Sequence, residues 1–226
     1  MARPIPWISQ GVGSGSRFAP LLERLLVMAP CTVGGIERGA DAAAHRSPTK
    51  LRNIVGLKDI VAPHLDVLFC GINPGLSSAA AGLPFARPGS RWWPALHQSG
   101  FTPHTLRPQE APSLTTWGLG LTTMARRPTA RAADLSPADL TLGAELLTER
   151  VETWQPRWLA ILGVTAFRAG YRQPGAVIGE QSLRIGATRV WVLPNPSGLN
   201  AHFPPVALAR EFTRLRVAAD LPDRRI

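Results

Sequence analysis

The run "LDVLFCGINPGLSS", residues 65–78, decides the fold. Apart from Asp66, residues 65–72 are apolar or small, too few for an ordinary helix but enough for a strand buried on both faces. The run ends in Gly71-Ile72-Asn73-Pro74-Gly75. Pro74 fixes its own φ and pushes Asn73 away from the α region, so the amide is held in an extended or turn backbone. A second strand-like run, "TRVWVL" (188–193), leads into "PNPSGLN" (194–200), where Asn195 precedes Pro196. Two buried strands therefore end in the same Asn-Pro turn.

Working outward, "RWLAILG" (157–163) reads as a third buried strand, and "WGLGLTTM" (117–124), interrupted by glycines, as a fourth. Between them lie helical patterns. Over 136–155, Ser136 is the N-cap, Pro137 opens the helix and Asp139 sits in the first turn. Leu140, Ala144, Leu147, Val151 and Trp154 then recur at three- and four-residue steps as one buried stripe. Shorter helices are expected over 90–99, with Trp92, Trp93 and Leu96, and over 205–219. Strands alternating with helices imply an α/β fold, a three-layer α/β/α arrangement around a mostly parallel central sheet. Residues 1–50, with "GVGSGS" and little periodicity, read as a weakly ordered extension, and 51–226 as the folded domain.

The chain has 226 residues and a formal net charge of +10. Such an excess favours polyanionic partners, because Lys and Arg displace the counterions condensed on phosphates. Of 25 basic residues only Lys50 and Lys58 are lysine. A GC-rich genome would produce that ratio as readily as phosphate recognition would, but it does not produce the net charge. Six arginines (87, 91, 107, 126, 127, 131) fall between Pro84 and Arg131 against one acid, Glu110. Two cysteines far apart, Cys31 and Cys70, exclude an all-cysteine metal or iron–sulfur cluster and argue against a disulfide scaffold. No apolar run reaches the ~18 residues of a membrane span. "LLERLLVMAP" is broken by Glu23 and Arg24, so no leader is expected and the protein is placed in the cytoplasm.

Ligands of open α/β sheets bind beyond the carboxyl ends of the strands. If the strands are parallel, Asn73 and Asn195 line one cleft. Gly71, Gly75 and Gly198 would permit close approach by a ligand or unusual dihedrals. Phe85, in the Pro/Gly-rich loop "GLPFARPGS" (82–90), has no obvious route to the main core and could serve as a stacking platform for a planar ring. Taken singly, each turn is equally an ordinary Pro/Gly turn, and Phe85 equally a loop anchor.

Taken together, "GINPGLSSAAAGLPFARPGSRWW" (71–93), "GFT" (100–102), "RPQEA" (107–111) and "WVLPNPSGLN" (191–200) resemble the mismatch-specific branch of the uracil-DNA glycosylase superfamily, which includes the thymine-DNA glycosylases. The resemblance runs from about Lys50 to about Leu215. It implies that superfamily's three-layer fold, hydrolytic excision of a base from duplex DNA, and neither metal nor other cofactor. The implied partner is double-stranded DNA carrying a uracil mismatch, met by a monomer.

By the same resemblance Asn73 is the catalytic residue, holding the attacking water. An amide accepts a water hydrogen but is no strong base. Related branches carry Asp for this task, so a slow chemical step is expected. Phe85 would stack on the flipped base, backbone around Ile72 and Phe85 would meet its edge with Gly71 and Gly75 also at the base, and Ser78 would crowd C5 and so favour uracil over thymine. Asn195, Pro196 and Ser197 match the DNA-contacting motif. Gly198, Leu199 and Asn200 match the wedge that fills the space a flipped base leaves. Neither motif contains a lysine, so a glycosylase without a lyase step is expected, leaving an abasic site. Two departures stand out: Ala201, followed by His202, replaces an arginine common after the wedge, and Thr123 stands where some relatives carry lysine. Two readings stay open beside this one: a glycosylase of broader range, acting on hypoxanthine, xanthine or single-stranded uracil, and a damage-recognition protein that flips bases without cleaving them. A free-nucleotide module is disfavoured, since no GxxxxGK[ST] loop is present.

Overall fold

The computed structural model describes residues 56–198 and 200–225. The N-terminal extension expected over 1–50 and Leu199, expected to act as a wedge, lie outside the described residues. Five strands form one sheet in the order β2-β1-β3-β5-β4: β1 (Val67–Gly71), β2 (Leu119–Thr123), β3 (Trp158–Leu162), β4 (Gly179–Ile185) and β5 (Thr188–Leu193). All neighbouring pairs are parallel except β4–β5. Helices α1 (Leu76–Ala81), α2 (Trp92–Gln98), α3 (Pro137–Trp154), α4 (Val164–Gly170) and α5 (Pro205–Ala218) complete the order, with a 3-10 helix over Pro108–Trp117.

Strand alternation creates the layers. Val67 and Phe69 of β1, Trp158 and Ala160 of β3, and Trp191 and Leu193 of β5 point to one side. There they pack with Trp92 and Leu96 of α2 and Leu208, Phe212 and Leu215 of α5. Leu68, Cys70, Leu159, Ile161, Val190 and Val192 point to the other side, against Ala144, Leu147 and Val151 of α3 and Phe167 of α4. The expected three-layer α/β/α fold with a mostly parallel sheet is the fold observed. The four strands read from the sequence are its parallel members.

The α3 helix starts as its sequence dictates. Ser136 Oγ accepts from the Asp139 N–H at 3.1 Å, and Asp139 Oδ2 accepts from the Ser136 N–H at 2.9 Å, a reciprocal capping box. The strand β4 has no counterpart in the sequence reading. Its residues, GEQSLRI, alternate between exposed and buried with few apolar side chains, so this edge strand, paired with β5 alone, carries no continuous apolar run. The glycines that blur β2 have a packing cause: a Cβ on Gly120 would lie 2.9 Å from the Ile60 carbonyl, whose segment bridges Leu121 across that strand. No helix among the described residues is long and apolar enough to cross a membrane.

Candidate active site

The parallel register puts the ends of β1, β3 and β5 on one edge of the sheet. One cleft there is lined by Asn73, Ser78, Phe85, Asn195, Gly198 and Asn200, so the structure brings the two Asn-Pro turns together. Gly163 ends the middle strand between them with φ 139°, a conformation that L side chains rarely adopt. A Cβ there would press on Ile72 at 3.0 Å and meet Asn195 at 3.9 Å. The signal for Gly163 in the sequence is only the glycine that closes "AILG".

The first turn is zipped to residues 124–129. Backbone N–H groups of Met124, Ala125 and Thr129 donate to the carbonyls of Gly71, Ile72 and Pro74 at 2.8, 2.9 and 3.1 Å. Asn73 Nδ2 donates to the Arg127 carbonyl at 2.8 Å and to Thr129 Oγ1 at 2.7 Å. A carbonyl can only accept, so the amide's NH2 faces this segment and its Oδ1 is the remaining acceptor. The segment is itself braced: Arg127 pairs with Asp139 at 2.6 Å, and that contact holds the Asp139 carboxyl down to a pKa of about 2. From the sequence, 124–131 is legible only as an arginine-rich stretch, and its role in holding Asn73 depends on long-range pairing.

The loop after α1 presents Phe85. The ring stacks on the buried Trp92 at 4.7 Å with 22° between planes, so one face belongs to the core. That corrects the expectation of a ring detached from the core. Phe85 has φ 51°, a left-handed backbone costing about 1–2 kcal/mol for an L-residue. Ser78 holds the bend: its Oγ accepts the Ala86 N–H at 3.1 Å, and the side chain is buried. Ser78 therefore shapes the Phe85 loop as well as lining the cleft.

Beside the ring lies a small pocket whose walls include Gly71, Asn73, Ser78, Phe85, Thr123 and Lys58. A Cβ on Gly71 would stand 3.7 Å from both Phe85 and the Thr123 methyl, so the space before Gly71 is the gap between them. The two adjacent threonines of β2 differ sharply. Thr122 Oγ1 donates to Asp59 at 2.6 Å and accepts from Arg150 at 2.7 Å. Thr123 Oγ1 is buried and has no partner among the described residues. Behind the pocket, burial pushes the Cys70 thiol up to about 12, so it stays protonated. Lys58, outside both sequence motifs, nonetheless reaches this wall.

None of Gly71, Gly75 and Gly198 has a positive φ, so the expectation of unusual dihedrals fails for all three. The Gly75 site has no neighbour within 4 Å of an added Cβ. Only Gly198 is required by the chain's own packing, since its Cβ would fall 2.7 Å from the Gly89 carbonyl. In the second turn Asn195 Oδ1 accepts from the Ser197 N–H at 3.0 Å, and Asn200 Nδ2 donates to the Asn195 carbonyl at 3.0 Å. Both amides thus shape their own loop, and Pro196 lines the cleft beside them.

The charge reading also changes. Arg126, Arg127 and Arg131 are ion-paired with Asp59, Asp139 and Asp134, acids from outside the basic stretch. Arg87, exposed on the cleft rim, has no ion pair or side-chain hydrogen bond among the described residues.

The protein-family model described as the uracil DNA glycosylase superfamily matches residues 58–215. Among solved structures, the chain is similar to the solution NMR structure of a Methanosarcina acetivorans protein provisionally named a uracil DNA glycosylase. The identity is 15%, the match covers 72% of this chain and 98% of that one, and the TM-score is 0.49. The family match takes in both Asn-Pro turns, Phe85 and every strand of the sheet, and by it this chain belongs to the uracil DNA glycosylase superfamily.

Proposed function

We propose that the protein is a monofunctional DNA glycosylase that hydrolyses uracil, and thymine poorly, from mismatched double-stranded DNA and leaves an abasic site. The observation that carries this reading is the fixed Asn73 amide. Its NH2 is committed to Arg127 and Thr129, so Oδ1 is left to accept a water hydrogen beside a pocket walled by Phe85.

A base inside a duplex is out of reach of a glycosidic-bond hydrolase, so the nucleotide must be extruded, and a mismatch lowers that cost. The flipped pyrimidine lies against the free face of Phe85, whose other face is backed by Trp92. The Thr123 hydroxyl, buried at the pocket wall and without a partner among the described residues, can hydrogen-bond its edge once it turns toward the base, and Ser78 crowds the position where thymine carries its methyl. The water on Asn73 meets the sugar as the bond to the base lengthens. Because an amide is a weak base, the acceleration comes mainly from placement and from the polar groups around the leaving base. The loop of Asn195, Pro196, Ser197, Gly198, Leu199 and Asn200 contacts the backbone and fills the vacated space. Residues 51–226 carry this activity as a monomer without the first 50. Lys58 lines the pocket but belongs to neither turn, and borohydride should trap no protein–DNA adduct.

The test is incubation with labelled G·U, A·U and G·T duplexes and single-stranded uracil, followed by alkali. Alkali-labile sites should form fastest from G·U. No product from any of the four would overturn the reading. Rapid cleavage of single strands, or of hypoxanthine and xanthine, would favour the broader-range enzyme. Asn73→Ala should bind DNA but not turn over, and deletion of residues 1–50 should leave excision intact.

A further inference from the structure

The segment 87–91 joins two parts of the site. Arg91 stands immediately before α2, whose first residue, Trp92, backs Phe85. Its guanidinium turns the other way, into the second turn. Nη1 donates to the carbonyls of Asn200 and Phe203 at 3.0 and 2.9 Å, and Nη2 donates to the Gly198 carbonyl at 3.0 Å. Its backbone N–H donates to the Pro196 carbonyl at 3.2 Å. Four hydrogen bonds from one residue thus span 196–203, and the same loop backs onto Gly89 at the position where Gly198 lacks a Cβ. No carboxylate pairs with Arg91 among the described residues, so three of its five side-chain N–H donors serve carbonyls and its charge stays on the cleft wall.

A planar fork can bridge three carbonyls at once, whereas an ammonium is a compact point donor. A loop held in this way has already lost the conformational freedom it would otherwise lose on meeting DNA. The geometry points to Arg91 as a positioning residue for duplex opening: it keeps the 196–203 loop preformed and ties that loop through Trp92 to the ring that receives the base. This inference rests on the proposed function, and it assigns Arg91 to the opening step rather than to bond cleavage.

The experiment compares wild type, Arg91→Lys, Arg91→Ala and Gly198→Ala. Two substrates are used: a G·U duplex, and the same duplex with uracil in an unpaired bubble, where little opening is needed. Single-turnover rates are read beside the fluorescence of 2-aminopurine next to a non-cleavable 2′-fluoro target nucleotide, which reports flipping without chemistry. Loss of charge-assisted hydrogen bonds should slow G·U excision of Arg91→Lys about tenfold or more and lower its fluorescence rise, with bubble excision within about threefold of wild type. Gly198→Ala, which unseats the loop from the Gly89 side, should also slow G·U excision and lower the fluorescence rise, and it carries the test by fluorescence should Arg91→Ala not fold. Equal losses on G·U and bubble substrates, or wild-type G·U excision by Arg91→Lys, would overturn the assignment. A wild type that excises from neither substrate but still raises the fluorescence would sink the glycosylase reading and leave the Arg91 comparison readable by fluorescence.

Discussion

Asn73 Nδ2 and Thr129 Oγ1 stand 2.7 Å apart, and the single hydroxyl hydrogen of Thr129 is already given to the Arg131 carbonyl at 2.7 Å. Thr129 can therefore only accept from Asn73, just as the Arg127 carbonyl can. Two obligate acceptors leave the amide one orientation, with Oδ1 outward. The Arg127 carbonyl and the buried Thr129 thus together fix which atom Asn73 turns outward.

Thr129→Val keeps the shape and removes the acceptor. The Asn73 amide is then oriented by the Arg127 carbonyl alone, and one of its N–H groups loses its partner. Excision should fall by about tenfold or more, corresponding to one lost hydrogen bond and a less firmly held amide. The loss should appear in single-turnover rate rather than in DNA affinity, and Thr129→Ser should restore most of it. Equal activity of the Val and wild-type proteins would show that the amide orientation is set elsewhere.

Thr123 invites a prediction of opposite sign for stability and activity. A buried hydroxyl with no partner costs free energy, so Thr123→Val should leave thermal stability unchanged or raise it. If the hydroxyl is there for the base, the same change should lower kcat/KM for G·U duplexes by about threefold to tenfold. A mutant that gains stability and loses nothing in kcat/KM would assign the orphan hydroxyl no part in recognition.

These two threonines show what the sequence could and could not reveal. Asn73 was legible because Pro74 and the glycines mark its turn at the end of an apolar run. The parallel strands were legible because burial on both faces makes them continuous apolar runs. Thr129 was not legible: its link to Asn73 spans 56 residues and exists only once β1 and β2 pair. Thr122 and Thr123 are indistinguishable as a pair of letters, yet in the fold one hydroxyl is bonded to Asp59 and the other is left without a partner among the described residues. The edge strand β4 and the short helices α1 and α4 were missed because half-exposed or six- to seven-residue elements carry too little periodicity.

The brace behind Asn73 should titrate. Arg127 holds the Asp139 carboxyl down to about 2, below an ordinary carboxylate. A depressed folded-state pKa contributes stability that is present above the unfolded pKa, near 4, and lost as pH falls through the folded value. Between about pH 5 and pH 2 wild type should therefore lose more thermal stability than Asp139→Asn, whose side chain does not titrate. Melting temperatures at half-unit pH steps provide the check. Parallel curves for the two proteins would mean that the Arg127–Asp139 pair contributes nothing to stability in solution.

The net charge of +10 suggests DNA binding, but only charges free to meet phosphate should appear in its salt dependence. Arg126 is spent on Asp59, and Arg127 on Asp139. Arg87 sits on the cleft rim with no such partner among the described residues. Arg87→Ala should reduce the slope of log K against log salt by about one for a duplex bearing a non-cleavable target, the change expected for one lost phosphate contact. Arg126→Ala removes the same formal charge, yet it should leave that slope nearly unchanged, because the guanidinium it deletes was already neutralised. Its cost should fall on stability instead, since Asp59, which also accepts from Thr122, loses an ion partner. Equal slope changes in the two mutants would mean that net charge rather than placed charge governs binding, and Arg87 would lose its assignment.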